Sequence, residues 1–206
     1  MLRVGIIGCG GMGRDHIRRL TEKIQGAEVV AVSDVFEESA KKAAEICGAK
    51  VYTDSRELIN AEDVDAVFIV SPGFAHTESL LQAIEAGKRV FCEKPLATTA
   101  DDCKKIVEAE VASGKHLIQL GFMRRYDKGY VQVKEALKSG EYGEPLILHC
   151  THRNPEVGTN YNTPMAVHDT AIHEIDTLHW LVDDEYESAQ QRKEKSVRQN
   201  KKESRG

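Results

Sequence analysis

A chain of 206 residues, of which 41% are apolar and 30% charged, is long enough to bury one substantial core. The formal net charge of -5 gives no reason to expect a nucleic acid or an anionic membrane surface as a partner. No apolar run approaches the roughly 20 residues that a membrane span requires. We therefore expect a protein without a nucleic-acid or membrane partner.

The five cysteines are scattered singly and form no Cys-x-x-Cys pair. The apolar run at the N-terminus, "MLRVGIIGCGGMG", is short and interrupted by glycine, unlike a signal peptide. Unpaired thiols suit a reducing compartment. We therefore predict a cytoplasmic protein in which most cysteines are small buried apolar side chains.

Strand and helix patterns alternate in chain order through the first part of the sequence. Short apolar runs rich in β-branched residues predict buried strands, and an amphipathic pattern typical of a helix follows each one. The predicted strands are 2–8, 28–34, 64–70, 88–94 and 116–122, and the predicted helices are about 12–23, 36–46, 76–86 and 99–112. This alternation predicts a Rossmann-type, doubly wound parallel α/β sheet over residues 1–121.

The alternation ends after Gly121. The patterns then predict a helix at about 130–139, a strand at 146–152, a polar loop over 153–164 and a helix at about 165–182. Because two helices and one strand do not make a domain, residues 122–189 are interpreted as the start of an incomplete α+β substrate domain.

The last segment, residues 190–206, differs in composition from the rest of the chain. It contains seven Lys or Arg, two Glu and one large apolar residue, Val197. Such a segment buries too little apolar surface to offset the entropy of ordering it, so we predict a disordered, basic tail. The alternative interpretation is a basic arm for an acidic partner.

The first predicted turn, "GIIGCGGMG", has the spacing G-x-G-x-x-G between a strand and a helix. That context predicts a dinucleotide site, since the glycines allow a tight turn, approach of a pyrophosphate, and close packing of helix on strand. The residues assigned to this loop are Gly8, Gly10, Gly11, Met12 and Gly13.

Asp34 ends the second predicted strand, 21 residues after Gly13. A carboxylate at this position accepts hydrogen bonds from the adenosine ribose and repels a 2′-phosphate. The next residues, Val35 and Phe36, supply no cation for such a phosphate. The sequence therefore predicts NAD rather than NADP as cofactor.

Glu93 and Lys94 close the fourth predicted strand, in "FCEKPLA". Ligands of open parallel sheets bind outside the carboxyl ends of the strands, which places both residues near a nicotinamide. A cis Lys94–Pro95 bond would turn the lysine into the cleft. The alternative is a solvated lysine beside a strand-ending proline, and the spacing alone does not decide between them.

The last predicted helix contains "DTAIHEID". At about 100° per residue, Asp169, His173, Asp176 and Trp180 lie on one side of a regular helix, away from the apolar side chains. We interpret this side as the wall of a cleft, with a surface Asp–His pair as the alternative. Zinc binding by Asp169 and His173 with His149 or His152 lacks a supporting motif, so no metal is predicted.

Taken together, several segments resemble the glucose–fructose oxidoreductase/inositol dehydrogenase (Gfo/Idh/MocA) family. They are "GIIGCGGMGRDH", "AVSDV", "SPGFAH", "VFCEKPLATTA", "GFMRRYDKGY", "HRNPEVGTNY" and "DTAIHEIDTLHWL". The resemblance implies NAD-dependent oxidation of a ring hydroxyl in a small polyol, a cyclitol or a sugar. The segments "FMRRYD" and "HRNP" narrow it towards inositol catabolism, with myo-inositol as substrate and 2-keto-myo-inositol as product.

The resemblance also implies roles for individual residues. Lys94, Asp169 and His173 match the family's catalytic residues, with His173 as the general base, Asp169 orienting it, and Lys94 holding the hydroxyl oxygen. Ser71, His76, Glu93 and Lys94 match cofactor-side positions. Arg124, Asn154, Asp169 and His173 match substrate-side positions.

The family pattern normally continues well beyond "LHWLV", where its sheet walls the substrate pocket and forms a homo-oligomer interface. Because the basic tail stands there instead, we expect reduced or lost activity, and the family's homo-oligomer is doubtful for this chain. Two other hypotheses follow: an NAD-binding module without turnover, or an interaction protein that uses the tail or the exposed apolar side of the last helix.

Overall fold

A parallel sheet of six strands organises the first part of the chain. The computed structural model describes residues 1–157, 159 and 161–190, and the predicted tail lies outside them except for Gln190. The strands are β1 (Leu2–Ile7), β2 (Ala27–Ser33), β3 (Lys50–Tyr52), β4 (Ala66–Ile69), β5 (Arg89–Cys92) and β6 (Ile118–Leu120). Their order in the sheet is β3-β2-β1-β4-β5-β6, and every neighbouring pair is parallel. This is the strand order of the Rossmann fold, so the predicted fold class is confirmed.

Helices follow most of the strands, as the alternating pattern predicted. They are α1 (Gly11–Glu22), α2 (Glu37–Cys47), α3 (Ser55–Asn60), α4 (His76–Glu85), α5 (Ala100–Ala112), α6 (Lys128–Ser139), α7 (Thr163–Met165) and α8 (Ile172–Val182). The sequence analysis missed β3 and α3. Both are too short to show a reliable hydrophobic period, although Asp54 is a recognisable cap that accepts a hydrogen bond from the Arg56 N–H.

Two apolar clusters cover the two faces of the sheet. Side chains of successive residues in a strand point to opposite faces, so Ile6 and Ile7 belong to different clusters. On one face, Ile17 of α1 and Ala40 of α2 are buried with Ile6. The other face is covered by α3, α4 and α5. This double coverage explains why the strands are apolar nearly throughout.

The second part of the described chain has no such core. The predicted strand at 146–152 is wrong: these residues belong to no strand, and Leu146 and Ile147 are 93% and 89% exposed. A strand requires a neighbour to satisfy its backbone N–H and C=O groups, and no described strand runs beside this segment.

The predicted helix at 165–182 is present but not regular. A π-helical segment, Ala166–Ala171, separates α7 from α8. Within residues 1–157, 159 and 161–190, no helix has the length and apolar character needed to cross a bilayer.

Candidate active site

The glycine loop joins β1 to α1 at the carboxyl edge of the sheet. Gly8 has φ +98°, and a Cβ there would lie 2.5 Å from the Ser71 backbone nitrogen. A Cβ at Gly13 would lie 1.9 Å from the Gly8 carbonyl oxygen, so α1 packs directly on the turn. A Cβ at Gly10 or Gly11 would meet no atom within 4 Å. Gly8 and Gly13 are therefore required by the fold, whereas Gly10 and Gly11 leave open space where a phosphate would approach.

Asp34 lies beside this loop, at the end of β2. Its Oδ2 accepts a hydrogen bond from the Cys9 N–H at 2.8 Å, and its Oδ1 accepts one from the Phe36 N–H at 2.9 Å. Each carboxylate oxygen keeps a second acceptor site, so the group is fixed in orientation and still able to accept from ribose hydroxyls. Val35 is 83% exposed next to it and offers no positive charge.

The segment after β4 completes the cofactor side. The Ser71 hydroxyl is buried and has no hydrogen-bond partner within the part of the chain that the structure describes. The His76 ring is buried, and its Nδ1 and Nε2 lie 2.7 Å from the carbonyl oxygens of Pro95 and Ser71. His76 thus joins two segments of the cofactor edge, with both ring nitrogens directed at protein carbonyls. The open glycine loop, the unpaired hydroxyl and the oriented carboxylate together fit a dinucleotide.

Lys94 follows β5 at the same edge and contacts the π-helical segment. Its Nζ donates to the Asp169 Oδ1 at 2.7 Å and to the Asp169 carbonyl oxygen at 3.0 Å. The Lys94–Pro95 peptide bond is cis. Through its two contacts with Asp169, the side chain is directed at the second part of the chain rather than at bulk solvent.

The π-helical segment changes which residues share a face. A π-turn carries its hydrogen bonds from residue i to i+5, so the rotation of 100° per residue does not hold through Asp169. Asp176 does not continue the face of Asp169; Arg125 donates to both of its carboxylate oxygens, at 2.5, 3.0 and 3.2 Å. The predicted common face of Asp169, Asp176 and Trp180 is therefore wrong for Asp176.

His173 lies in the first turn of α8, four residues after Asp169. The residue is only 7% exposed. Burial lowers the pKa of its imidazole below 6.5, and the nearby positive charges of Lys94 and Arg124 lower it further, against the opposing charge of Glu174. The imidazole is therefore neutral at neutral pH and able to accept a proton.

Arg124 lies close to His173 in a small charged cluster. Its Nη1 donates to the Glu174 Oε1 at 2.5 Å, and His152 Nδ1 lies 3.1 Å from the same oxygen. Burial alone would raise the pKa of Glu174, but the hydrogen bonds from Arg124 and His152 lower it overall. The His152 and His173 rings are 6.4 Å apart between centroids. The His152 ring thus lies beside the imidazole of His173, the predicted base.

Asn154, the other predicted substrate-side residue, lies over the π-helical segment. Its Nδ2 donates to the Thr170 Oγ1 at 3.4 Å, and the Tyr161 hydroxyl lies 2.5 Å from that same oxygen. Asn154 and Tyr161 thus both contact the residue that follows Asp169.

Sequence reasoning missed several polar residues of this edge, namely His16, His152, Tyr161, Thr170 and Glu174. Thr170 and Glu174 lie within "DTAIHEID", so their position in the motif was a usable signal. The others come from distant segments that only the fold brings close. Among residues 1–157, 159 and 161–190, no group of three or more His, Cys, Asp or Glu is arranged to hold a metal ion.

The comparisons with known proteins agree with this class of site. The family model described as "Oxidoreductase family, NAD-binding Rossmann fold" matches residues 2–122, and the "GFO/IDH/MocA C-terminal domain" matches residues 130–204. The chain belongs to the GFO/IDH/MocA family of oxidoreductases, with its NAD-binding Rossmann fold. The family resemblance noted from the sequence and the expected cofactor, NAD, are confirmed.

Individual relatives are similar over most of this chain. An "Inositol 2-dehydrogenase/D-chiro-inositol 3-dehydrogenase" of Shouchella clausii is 59% identical over 188 residues, which are 90% of this chain and 54% of the relative. An "Inositol 2-dehydrogenase" of Pseudomonas syringae pv. syringae is 56% identical over 92% of this chain and 57% of its own length. The chain thus spans a little over half the length of the curated relatives it matches.

A solved structure shows the same arrangement of elements. The myo-inositol dehydrogenase of Lactobacillus casei, in complex with NAD(H) and myo-inositol, superposes with a TM-score of 0.87 at 50% identity. The match covers 90% of this chain and 56% of that one. The scyllo-inositol dehydrogenase of the same species, with NAD(H) and scyllo-inositol, gives a TM-score of 0.77 at 27% identity over 90% of this chain.

Proposed function

We propose that this chain carries the cofactor side and the catalytic residues of an NAD-dependent dehydrogenase that oxidises a ring hydroxyl of a cyclitol, with myo-inositol as the favoured substrate. The observation that carries the proposal is the contact of Lys94 with Asp169, one turn before His173. This contact links the edge of the sheet where the nicotinamide would bind to the turn that precedes the neutral, buried imidazole of His173. Relatives named as inositol 2-dehydrogenases support the choice of substrate.

The two parts of the chain take different tasks in this proposal. Residues 1–121 hold NAD through the glycine loop, Asp34 and the Ser71 hydroxyl, while residues 122–189 supply the base and part of the substrate wall. The family models support this division, since one ends at residue 122 and the other begins at residue 130.

His173 takes the proton from the substrate hydroxyl as the carbon–hydrogen bond breaks. Bound NAD supplies the hydride acceptor, so the carbinol becomes a ketone and NAD becomes NADH. His173 is suited to this role because burial and the charges of Lys94 and Arg124 keep it neutral.

Lys94 stabilises the negative charge that develops on the hydroxyl oxygen. Its ammonium has three N–H donors, and Asp169 accepts two of them, through its carboxylate and its backbone carbonyl. The third donor remains for the substrate oxygen. Because Asp169 fixes the ammonium before the proton leaves, this stabilisation requires no reorganisation during the reaction.

The test is to incubate the purified chain with NAD and myo-inositol and to follow NADH by absorbance. We expect NADH to form, and Lys94→Ala to abolish it while NAD still binds through the glycine loop and Asp34. Lys104→Ala is the matched control, since Lys104 lies on α5 with its side chain 75% exposed. Absence of NADH from a folded, NAD-binding chain would contradict the proposal.

A second candidate function is NAD binding without turnover. It is favoured by the exposure of apolar side chains in the second part of the chain, where Leu146, Ile147, Ile175 and Val182 are each more than one-third exposed. Under this alternative, calorimetry detects NAD binding, but neither myo-inositol nor scyllo-inositol yields NADH.

A further inference from the structure

His16 belongs to the motif "GIIGCGGMGRDH", yet the nucleotide loop does not require it. It lies on α1, three residues after Gly13. Its ring packs edge-on against Phe68 and Phe91, with centroid distances of 5.7 and 5.4 Å. These two phenylalanines come from β4 and β5, so the imidazole is held against the centre of the sheet.

The free edge of this ring is directed at Glu93. His16 Nε2 lies 2.8 Å from the Glu93 Oε1, and the two side chains are 16% and 20% exposed. Burial alone would raise the pKa of the Glu93 carboxyl, but the hydrogen bond with His16 and the charge of Lys94 lower it overall. The contact is therefore a hydrogen bond to an ionised carboxylate, the stronger class of hydrogen bond.

The surroundings leave the Glu93 side chain little freedom. A Cβ at Gly121 would lie 2.9 Å from the Phe91 ring and 3.4 Å from the Glu93 Oε2, so the carboxylate lies directly beside this glycine. The Glu93 N–H donates to the Ile69 carbonyl at 2.9 Å. Glu93 is thus fixed at its backbone by β4 and at its carboxylate by α1, immediately before Lys94.

We propose that His16 is a positioning residue for cofactor binding: its hydrogen bond orients the Glu93 carboxylate and joins the glycine-loop helix to the Lys94 segment. The inference rests on the proposed function, in which both segments border one NAD molecule. It assigns His16 no contact with the cofactor or the substrate.

Two substitutions separate the hydrogen bond from the packing. His16→Phe keeps an aromatic ring against Phe68 and Phe91 but removes the donor. His16→Gln removes the ring but places an amide N–H near the position of Nε2. If orientation of Glu93 is what matters, the affinity for NAD, measured by titration calorimetry, falls about tenfold in His16→Phe and stays near the original value in His16→Gln.

The matched control is His116→Phe, at an exposed residue between α5 and β6, which should leave the affinity for NAD unchanged. A further measurement uses Glu93→Met as the background, since Met has no oxygen to accept from the His16 ring. Because both residues act through one hydrogen bond, His16→Phe should have little further effect there, whereas independent roles would give additive losses. Circular dichroism confirms that each variant is folded.

The reverse order of affinities, with His16→Gln weak and His16→Phe normal, would show that the ring acts by packing alone and would overturn the inference. So would additive losses in the Glu93→Met background. These results are independent of turnover. If the chain binds NAD without oxidising myo-inositol, the proposed reaction is contradicted. The NAD affinities of the His16 variants can still be compared.

Discussion

The sheet region, up to residue 122, and the region from 123 to 190 are held in place by different forces. Of the buried apolar residues in the described chain, 26 lie in the first region and one, Leu181, lies in the second. Among the described residues, the one ion pair that joins the second region to the first is Lys94–Asp169, while Arg124–Glu174 and Arg125–Asp176 lie within the second region. The nucleotide site therefore rests on burial, and the position of α8 rests on a few hydrogen bonds.

This difference matters because the two kinds of interaction respond differently to substitution. Burial of a large apolar side chain stabilises the folded state by roughly 1.5–3 kcal/mol, and many such side chains contribute in the sheet region. A hydrogen bond to a charged group is worth a similar amount, about 1.5–3 kcal/mol, but few of them hold α8. Removal of one charged side chain that contacts α8 should thus displace this helix while the nucleotide site stays intact.

The largest effect is expected at the base itself. His173→Asn removes the proton acceptor, so turnover of myo-inositol should fall by about 10²–10⁴-fold, with unchanged affinity for NAD. Steady-state kinetics and calorimetry on the same preparation measure both quantities. His116→Asn, at the exposed histidine of the sheet region, serves as control. A parallel loss of NAD affinity in His173→Asn would show that the two regions are not separable.

The next largest effect concerns the ion pair between Arg125 and Asp176. Asp176 is 9% exposed, so Arg125→Met leaves a largely buried carboxylate without its two-pronged donor. We expect the amides of α8 to exchange with solvent hydrogen about tenfold to a hundredfold faster, while the amides of β1 and β4 keep their protection. Uniform acceleration across both regions would contradict the comparison. Arg19→Met, at an exposed pair with Asp15 on α1, is the control.

A smaller effect is expected for cofactor choice, which belongs to the sheet region alone. Asp34→Ala removes the carboxylate that accepts from the Cys9 and Phe36 N–H groups, so NAD should bind about tenfold more weakly and the preference over NADP should narrow. Calorimetric titration with NAD and with NADP measures the two affinities and therefore the preference. An unchanged preference would show that another group excludes the 2′-phosphate.

The smallest effect concerns the pH dependence of His173. Its pKa lies below 6.5, so the neutral base persists at neutral pH and is lost as the pH falls through that lowered pKa. Because the unfolded chain then binds the proton more readily, the free energy of unfolding also falls over this acidic range. Arg124→Gln removes one nearby positive charge, so the pKa should rise and the acidic limb of the activity profile should move to higher pH. We expect a change of less than about tenfold in the rate on that limb, measured alongside an NMR titration of the imidazole.

The sheet region was predicted well because its signals are local. Apolar runs, the glycine spacing and Asp34 each follow from a few neighbouring residues, and the parallel sheet places their ends at one edge. Strand β3, with three residues, fell below the length at which a period is visible. The family resemblance assigned Lys94, Asp169 and His173 to one catalytic set, and in the structure Lys94 contacts Asp169.

The second region was predicted less well because its contacts are distant in sequence. Arg125 and Asp176 are 51 residues apart, and nothing in either segment indicates the other. The π-helical segment, Ala166–Ala171, was also not predicted, since the periodic pattern was taken to indicate an α-helix throughout. A regular helix was therefore assumed, and Asp176 was assigned to the wrong face.

The sequence by itself determined the Rossmann fold, the dinucleotide loop and the residue types available for catalysis, because helix and strand periods and glycine geometry are properties of short segments. Only the tertiary structure decided which charged groups meet. It placed His16 against Glu93, Arg125 against Asp176, and Lys94 against Asp169. The physical reason is that such contacts depend on how distant segments pack. The residues next to a charged side chain in the sequence do not indicate which distant residue will be its partner.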